Sequence, residues 1–287
     1  MTLDPVSRRL IALALREDLG RRGDITTRFF LPPSREFHAK IVAKEPGVLC
    51  GVAPASEVFR RAAPRVRVRW SKRDGDLLRG GQTIAVLVGP RQMLGAERVA
   101  LNFLQRLSGI ATLTAAFVAK TRGTRARIYD TRKTAPGWRA LDKHAVLCGG
   151  GRNHRFGLYD MAMLKDNHRA GETASKASWK RRQAEMRDFR RRYPRVAVEI
   201  EAKTRAEVDA AIALGADILL LDNMTPAALR REIPRVRRAA PKIAIEVSGG
   251  VDLKGVRRVA LLGPDRISVG TITHSAKALD MSLELEG

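Results

Sequence analysis
The chain has 287 residues, 44% of them hydrophobic, and a formal charge of +24 at neutral pH. That is enough apolar material for a real core, in one large α/β domain or two, and it excludes an intrinsically disordered chain. No apolar run approaches the roughly 20 residues that a membrane span requires, and MTLDPVSRRL lacks the apolar stretch of a signal peptide.

Cys50 and Cys148 are the only cysteines, which is no disulfide framework, and their spacing is not that of a metal motif. A reducing cytoplasm is the expected compartment. The large positive charge favours phosphate, on nucleic acid or on a small substrate. Its densest run is 176–195, KASWKRRQAEMRDFRRRYPR, with nine Lys or Arg. This reads as a helix with a broad cationic face. No nucleic-acid-binding motif accompanies it, so a solvated helix surface is the simpler account.

In chain order, Asp4-Pro5 predicts a helix start, with a stripe over Leu10, Leu13, Ala14 and Leu15 that ends near Gly20. GRRGDITT is expected as a turn. Phe37 to Lys44 alternates as a strand, Pro54 to Ala63 suits a helix, and Val66, Val68 and Trp70 alternate with arginines as a half-exposed strand. Short β segments continue through Val88, and a long helix follows Pro90. The first third is therefore expected as α+β with a mostly antiparallel sheet.

After Gly123 short apolar runs alternate with amphipathic helical segments. The runs are Ala126–Tyr129, Met161–Leu164, Val196–Ile200, Ile218–Leu221, Ile243–Val247 and Ile267–Val269, the last four beginning roughly 22 to 25 residues apart. That is the length of a βα unit, and it predicts a parallel sheet covered by helices, open or closed into a barrel. Each run ends in polar or glycine residues: Asp130-Thr131-Arg132-Lys133, Lys165-Asp166-Asn167-His168, Glu201, Asp222-Asn223, Ser248-Gly249-Gly250 and Gly270. In a βα barrel the strands' C-terminal ends converge on the active site, so these groups are expected to share one pocket.

The stretch from Tyr129 to His168 holds Arg132, Lys133, His154, Arg155 and Lys165 around a Gly149-Gly150-Gly151 triplet. Guanidinium forks, ammonium charges and imidazoles delivered by turns point to an anionic small molecule, against the plainer reading of a basic surface loop. Ser248-Gly249-Gly250 and Gly270, after the last two strands, are candidate phosphate loops. Glu201 and Asp222 are candidates for sugar hydroxyls or Mg²⁺. Glu199 shares a strand face with Glu201, and the pattern does not separate their roles. His274 is placed to touch a phosphate or to cap, and His144 is expected to be structural.

The motifs AERVALNFLQRLSGIAT (96–112), DTRKT (130–134), GGGRNHRFGLYD (149–160), KDNH (165–168), LLDN (220–223), EVSGGV (246–251) and SVGTITHSAKALDMSL (268–283) closely resemble quinolinate phosphoribosyltransferase. EDLGRRGDITT (17–27) extends the likeness over nearly the whole chain. The resemblance implies an N-terminal α/β open-faced sandwich over 1–111, rejoined by 278–287, and an incomplete βα barrel over 112–277. It implies conversion of quinolinate and phosphoribosyl pyrophosphate, with Mg²⁺, to nicotinate mononucleotide, pyrophosphate and CO₂.

By the same resemblance the enzyme is a dimer or hexamer in which Arg98 reaches the neighbouring site. Arg98, Arg132, His154 and Arg155 would neutralise quinolinate's carboxylates, and Lys133 and Lys165 would hold pyrophosphate or bridge the two substrates. Glu201 and Asp222 would take ribose hydroxyls and the metal, with Ser248, Gly249, Gly250, Gly270 and His274 on the 5′-phosphate. The chain departs from the family at Val99-Ala100, Leu147 and Lys277, none of them a proposed ligand. A paralogue associated with molybdate transport resembles the chain less at DTRKT and KDNH. A nicotinate-using transferase would not need four cations, and a nucleic-acid-binding scaffold would not need every ligand.

Overall fold
The computed structural model describes residues 1–165, 168 and 176–286, which form two compact units. The first unit comprises 1–118, 133–152 and 270–287; the second comprises 119–132 and 153–269.

In the first unit, α1 (Pro5–Leu19) begins where the Asp4 carboxylate accepts the Val6 and Ser7 N–H groups at 2.8 and 3.1 Å. These satisfy two of the donors that every helix start leaves open, and Pro5 adds a preset φ. The helix stops at Gly20, whose φ of 50° is a conformation most side chains resist. The expected turn that follows is in part a helix, α2 (Ile25–Phe30), because Asp24 accepts the Thr27 N–H at 3.0 Å. A run as short as ITTRFF carries no periodic signal, so only its cap could have revealed it.

Strands β1 (Glu36–Ala43), β3 (Arg67–Trp70), β5 (Gln82–Pro90) and β12 (Met281–Glu286) form an antiparallel sheet in the order β12-β1-β5-β3. β2 (Gly47–Val48) pairs with β4 (Leu77–Leu78). The helices of this unit are α3 (Val52–Ala62), the 30-residue α4 (Gln92–Thr121), α5 (Arg139–Cys148) and α10 (Thr271–His274). The C-terminal strand returns to pair with β1 after the chain has passed through the other unit.

The second unit holds β6 (Arg127–Tyr129), β7 (Ala162–Leu164), β8 (Val198–Ala202), β9 (Ile218–Asp222), β10 (Ala244–Ser248) and β11 (Arg266–Ser268). Its helices are α6 (Lys176–Arg192), α7 (Arg205–Ala213), α8 (Pro226–Ala239) and α9 (Val256–Ala260). The strands are parallel in the order β7-β8-β9-β10-β11-β6. The earliest strand thus lies beside the latest, the order of a barrel. Among the described residues no ladder joins β6 to β7, so the barrel is incomplete there. Between these two strands the chain leaves the unit at Lys133 and re-enters at Asn153.

The strands are two-faced. Val198, Ile200, Ala202, Leu219, Leu221, Ile245 and Val247 pack with Val208, Leu229, Ile233 and Val236 of the covering helices. By the period of two, the other face carries Glu199, Glu201, Leu220, Asp222, Glu246, Ser248, Arg266 and Ser268, which the parallel register aligns. The basic helix α6 joins the same layer through Met186 and Phe189. Its Arg190 bridges Asp217 at 2.7 Å and the Gly215 carbonyl at 2.7 Å, and Arg182 pairs with Glu185 at 3.0 Å. Part of its charge therefore fastens the helix to its own unit. No helix among the described residues is long and apolar enough to cross a membrane.

Gly109 marks the tightest approach in the first unit: a Cβ there would lie 2.0 Å from the Lys277 carbonyl oxygen. Backbone cannot yield as a side chain does, so Gly109→Ala is expected to destabilise the chain by about 1–3 kcal/mol or more. Urea unfolding of the variant checks this, and an unchanged midpoint would contradict it.

Candidate active site
The polar face of the barrel strands builds the site. Glu199, Glu201 and Glu246 are 0, 3 and 1% exposed, and a buried carboxylate needs cations or protons. Each is met differently. Glu201 receives Lys165 Nζ at 3.2 Å on one oxygen and Lys203 Nζ at 3.4 Å on the other. Lys165 lies directly after β7, and its N–H donates to His168 Nδ1 at 3.1 Å. Asp166 and Asn167 of the same motif lie outside the described residues.

Glu199 and Glu246 converge on His154, whose Nε2 lies 3.1 and 3.3 Å from their carboxylates. His154 sits on the loop before β7. Its own N–H donates to buried Asp130 at 2.7 Å, and its Nδ1 accepts the Arg155 N–H at 2.8 Å. In the neutral ring the proton therefore sits on Nε2, the nitrogen that faces the carboxylates. Burial lowers the His154 pKa, but Glu199 and Glu246 outweigh it and push it up to about 9. Burial also pushes Glu199 upward, with the Glu246 charge and against the His154 hydrogen bond. Both shifts make the trio retain protons that separated groups would release. Ser268 Oγ donates to Glu246 as well.

Arg155 extends from this loop to the Met161 carbonyl at 3.0 Å and to Met163 Sδ at 3.5 Å. Burial, then the charge of Arg132, hold its pKa below the ordinary guanidinium value. Arg132 is thus an electrostatic neighbour of Arg155, and its Nε is buried without a hydrogen-bond partner.

Asp222 ends β9 half-buried, where burial demanded a partner: Ser248 Oγ donates to one oxygen at 2.6 Å and Asn223 Nδ2 to the other at 2.7 Å. Ser248 ends β10 in register with Asp222. Gly249 and Gly250 follow with φ of 96° and 60°, and a Cβ on Gly249 would lie 2.2 Å from Asn223 Oδ1. Asn223, itself at φ 52°, donates its N–H to the Ser248 carbonyl at 3.0 Å. The two loops are locked, which holds their backbone groups in fixed directions.

The remaining candidates belong to the first unit. Gly270 follows β11 so closely against Lys133 Cδ and His274 Nε2 that a Cβ would meet them at 3.1 and 3.2 Å. Thr273 Oγ1 donates to the Lys133 carbonyl at 2.8 Å, and His274 Nδ1 lies 2.6 Å from Ser275 Oγ. Arg98 is exposed on α4, 3.4 Å from Glu97. Asp130, Glu246 and Ser268 were not singled out from the sequence. Stepping back by two from Ser248 would have reached Glu246; Asp130, inside DTRKT, had no separate signal. His144, expected to be structural, pairs with Asp74 at 2.8 Å.

A family model described as quinolinate phosphoribosyl transferase, C-terminal domain, matches residues 110–284, and its N-terminal counterpart matches 24–108. A probable nicotinate-nucleotide pyrophosphorylase [carboxylating] of Bacillus subtilis is 41% identical over 94% of this chain and 90% of its own. The nicotinate-nucleotide pyrophosphorylase [carboxylating] of Mycobacterium leprae is 39% identical over 97% of each chain. The solved nicotinate-nucleotide pyrophosphorylase of Francisella tularensis superposes with a TM-score of 0.89 at 35% identity, covering 100% of this chain and 98% of that one.

With its folded pKa near 9 against an ordinary 6.5, His154 adds stability that is complete below about pH 6.5 and is lost as pH rises through about 9. Between neutral pH and pH 9.5 or so, the melting temperature of the wild type is expected to fall more steeply than that of His154→Asn. Parallel profiles in calorimetric scans would contradict the assignment.

Proposed function
The chain belongs to the quinolinate phosphoribosyltransferase family, and from that premise we propose how its residues divide the reaction. The reaction transfers the phosphoribosyl group of phosphoribosyl pyrophosphate to quinolinate, releasing pyrophosphate and CO₂ and forming nicotinate mononucleotide for NAD synthesis. The observation that carries the assignment of roles is that the charge of Arg132 lowers the Arg155 pKa, which puts the two guanidiniums within electrostatic reach of each other. Quinolinate brings two adjacent carboxylates, and two guanidiniums match them in charge, each able to offer a carboxylate a two-pronged fork.

His154 has one ring nitrogen on the Arg155 backbone and the other between two carboxylates, which supports a role in fixing the loop that carries Arg155. Glu201 holds Lys165 at the end of β7, where its ammonium serves pyrophosphate, with Lys133 beside it in role. Ser248, Gly249 and Gly250 are assigned to the 5′-phosphate; Gly270 and His274 carry that assignment from the family resemblance. Asp222 takes the ribose hydroxyls.

The pyridine nitrogen forms its bond to the ribose C1′ as the C1′–oxygen bond to pyrophosphate breaks, and the leaving group takes that electron pair. The ring nitrogen is then cationic. The C2 carboxylate departs as CO₂, its bonding pair stays on C2 beside the cationic nitrogen, and C2 takes a proton from water. The protein supplies orientation and charge placed in advance, with no covalent step of its own.

Mg²⁺ suits oxygen donors on one or two carboxylates completed by phosphates. Asp222 fits: both its oxygens accept neutral donors, and among the described residues no ammonium or guanidinium pairs with it. Glu201 is already neutralised by two ammonium groups, so it fits as a supporting ligand. When bound, the ion neutralises charge on pyrophosphate. We further read the enzyme as a cytoplasmic homo-oligomer, dimer or hexamer, in which exposed Arg98 serves a neighbouring subunit's quinolinate.

Release of CO₂ and pyrophosphate from quinolinate, phosphoribosyl pyrophosphate and Mg²⁺ tests the reading, with nicotinate in parallel. Turnover with quinolinate alone is expected. Arg155→Lys, which keeps the charge and loses the fork, should lower kcat/KM by about 100-fold or more. Mixed oligomers of inactive Arg98→Ala and Lys133→Ala chains should recover part of the activity. Equal use of nicotinate would overturn the role given to the arginine pair.

A further inference from the structure
The reaction leaves one cluster of chemistry-bearing side chains unused, and it lies wholly within the first unit. Cys50, Asp74, His144 and Cys148 bring one ligand atom each to within 4.8 Å of all the others. His144 Nε2 lies 2.8 Å from Asp74 Oδ2 and 3.4 Å from Cys148 Sγ. Cys50 is completely buried, and the other three are half-buried.

The four come from three segments, each held in place independently. Cys50 lies between β2 and α3, where its N–H donates to Ser108 Oγ at 2.9 Å and its carbonyl accepts from the same hydroxyl at 3.1 Å. Asp74 stands on the turn before β4, and its other oxygen accepts the Gly51 and Val52 N–H groups at 2.9 and 3.0 Å. That turn is tied back by the Gly75 N–H to the Leu49 carbonyl at 2.8 Å. His144 and Cys148 are four residues apart on α5, so they share one face of the helix.

We propose that Cys50, Asp74, His144 and Cys148 form a site for a zinc-type divalent metal ion. Two thiols, an imidazole and a carboxylate are a borderline-soft, four-donor set of the kind that closes tetrahedrally around Zn²⁺, and Mg²⁺ has no use for it. With bonds of about 2.0–2.3 Å, tetrahedral ligand atoms stand roughly 3–4 Å apart, so the cluster needs only small adjustments. Binding forms two metal–sulfur bonds, one metal–nitrogen and one metal–oxygen bond. The protons displaced are those of the two thiols and the one between His144 and Asp74, and they pass to solvent.

The two backbone N–H groups on the far oxygen of Asp74 have the form of the outer partners that orient metal ligands. A plain Cys50–Cys148 disulfide would use only the sulfurs and leave the His144 and Asp74 donor atoms beside them unused. Because the ligands join three separate segments, the ion acts as a clip for the first unit.

Titration of the reduced, chelator-stripped full-length chain with Co²⁺ tests this. One ion per chain is expected, with the strong visible bands of a tetrahedral ion, near-ultraviolet thiolate-to-metal charge transfer, and a rise in melting temperature. Cys148→Ser and, as a second variant that keeps its shape, Asp74→Asn should weaken binding by at least about 10–100-fold, with circular dichroism confirming that each folds. Weak octahedral bands without charge transfer, wild-type affinity in Cys148→Ser, or a Cys50–Cys148 disulfide persisting in place of metal binding would each overturn the proposal.

Discussion
Everything at the strand ends depends on the burial of three carboxylates, Glu199, Glu201 and Glu246, on the face of a parallel sheet that has helices on its other side. An uncompensated buried carboxylate is costly, and removing one partner of such a pair typically costs about 3–5 kcal/mol. The surrounding chain answers with Lys165 and Lys203 for Glu201, and with His154, Ser268 and Arg266 for the other two. Lys165, Lys203 and His154 come from loops that periodicity alone would leave unplaced, whereas Ser268 and Arg266 belong to β11. The carboxylates therefore fix where the loops lie, and the loops carry Arg155 and Lys165, the groups proposed to meet substrate.

The same arrangement separates two kinds of positive charge. Lys165 and His154 answer buried anions of the protein, whereas Arg132 and Arg155 are set beside each other with an orphaned Nε on Arg132. Much of the remaining basic surface belongs to neither kind. On α6 it is partly spent on ion pairs and on the Gly215 carbonyl, which accounts for some of the arginines in the densest basic run.

The strands were legible because a βα repeat writes apolar runs at regular spacing, and the groups after each run follow from barrel geometry. Asp222 and Ser248 were found this way, and in the structure they meet. Glu246 was missed because it sits within an apolar run, where only the two-residue alternation betrays its face. Glu199 and Glu201, which the pattern could not separate, share that face but differ in partners: His154 for one and two lysines for the other. Helix α2 escaped because six residues are too few for a period. Cys50 and Cys148, far apart in sequence and in no metal-type spacing, meet because the fold brings α5 against the turns that flank β2 and β4. Local sequence carries local structure, and it does not encode such meetings.

The central claim is that the Arg132–Arg155 pair recognises two carboxylates at once. Calorimetric titration of quinolinate and of nicotinate into the wild type and Arg132→Gln tests it most directly. The account predicts that the wild type binds quinolinate well and nicotinate much less, and that Arg132→Gln weakens quinolinate by about 10- to 100-fold, the worth of a hydrogen bond to a charged group. Equal affinity for the two acids, or an Arg132→Gln chain that binds quinolinate as the wild type does, would contradict it.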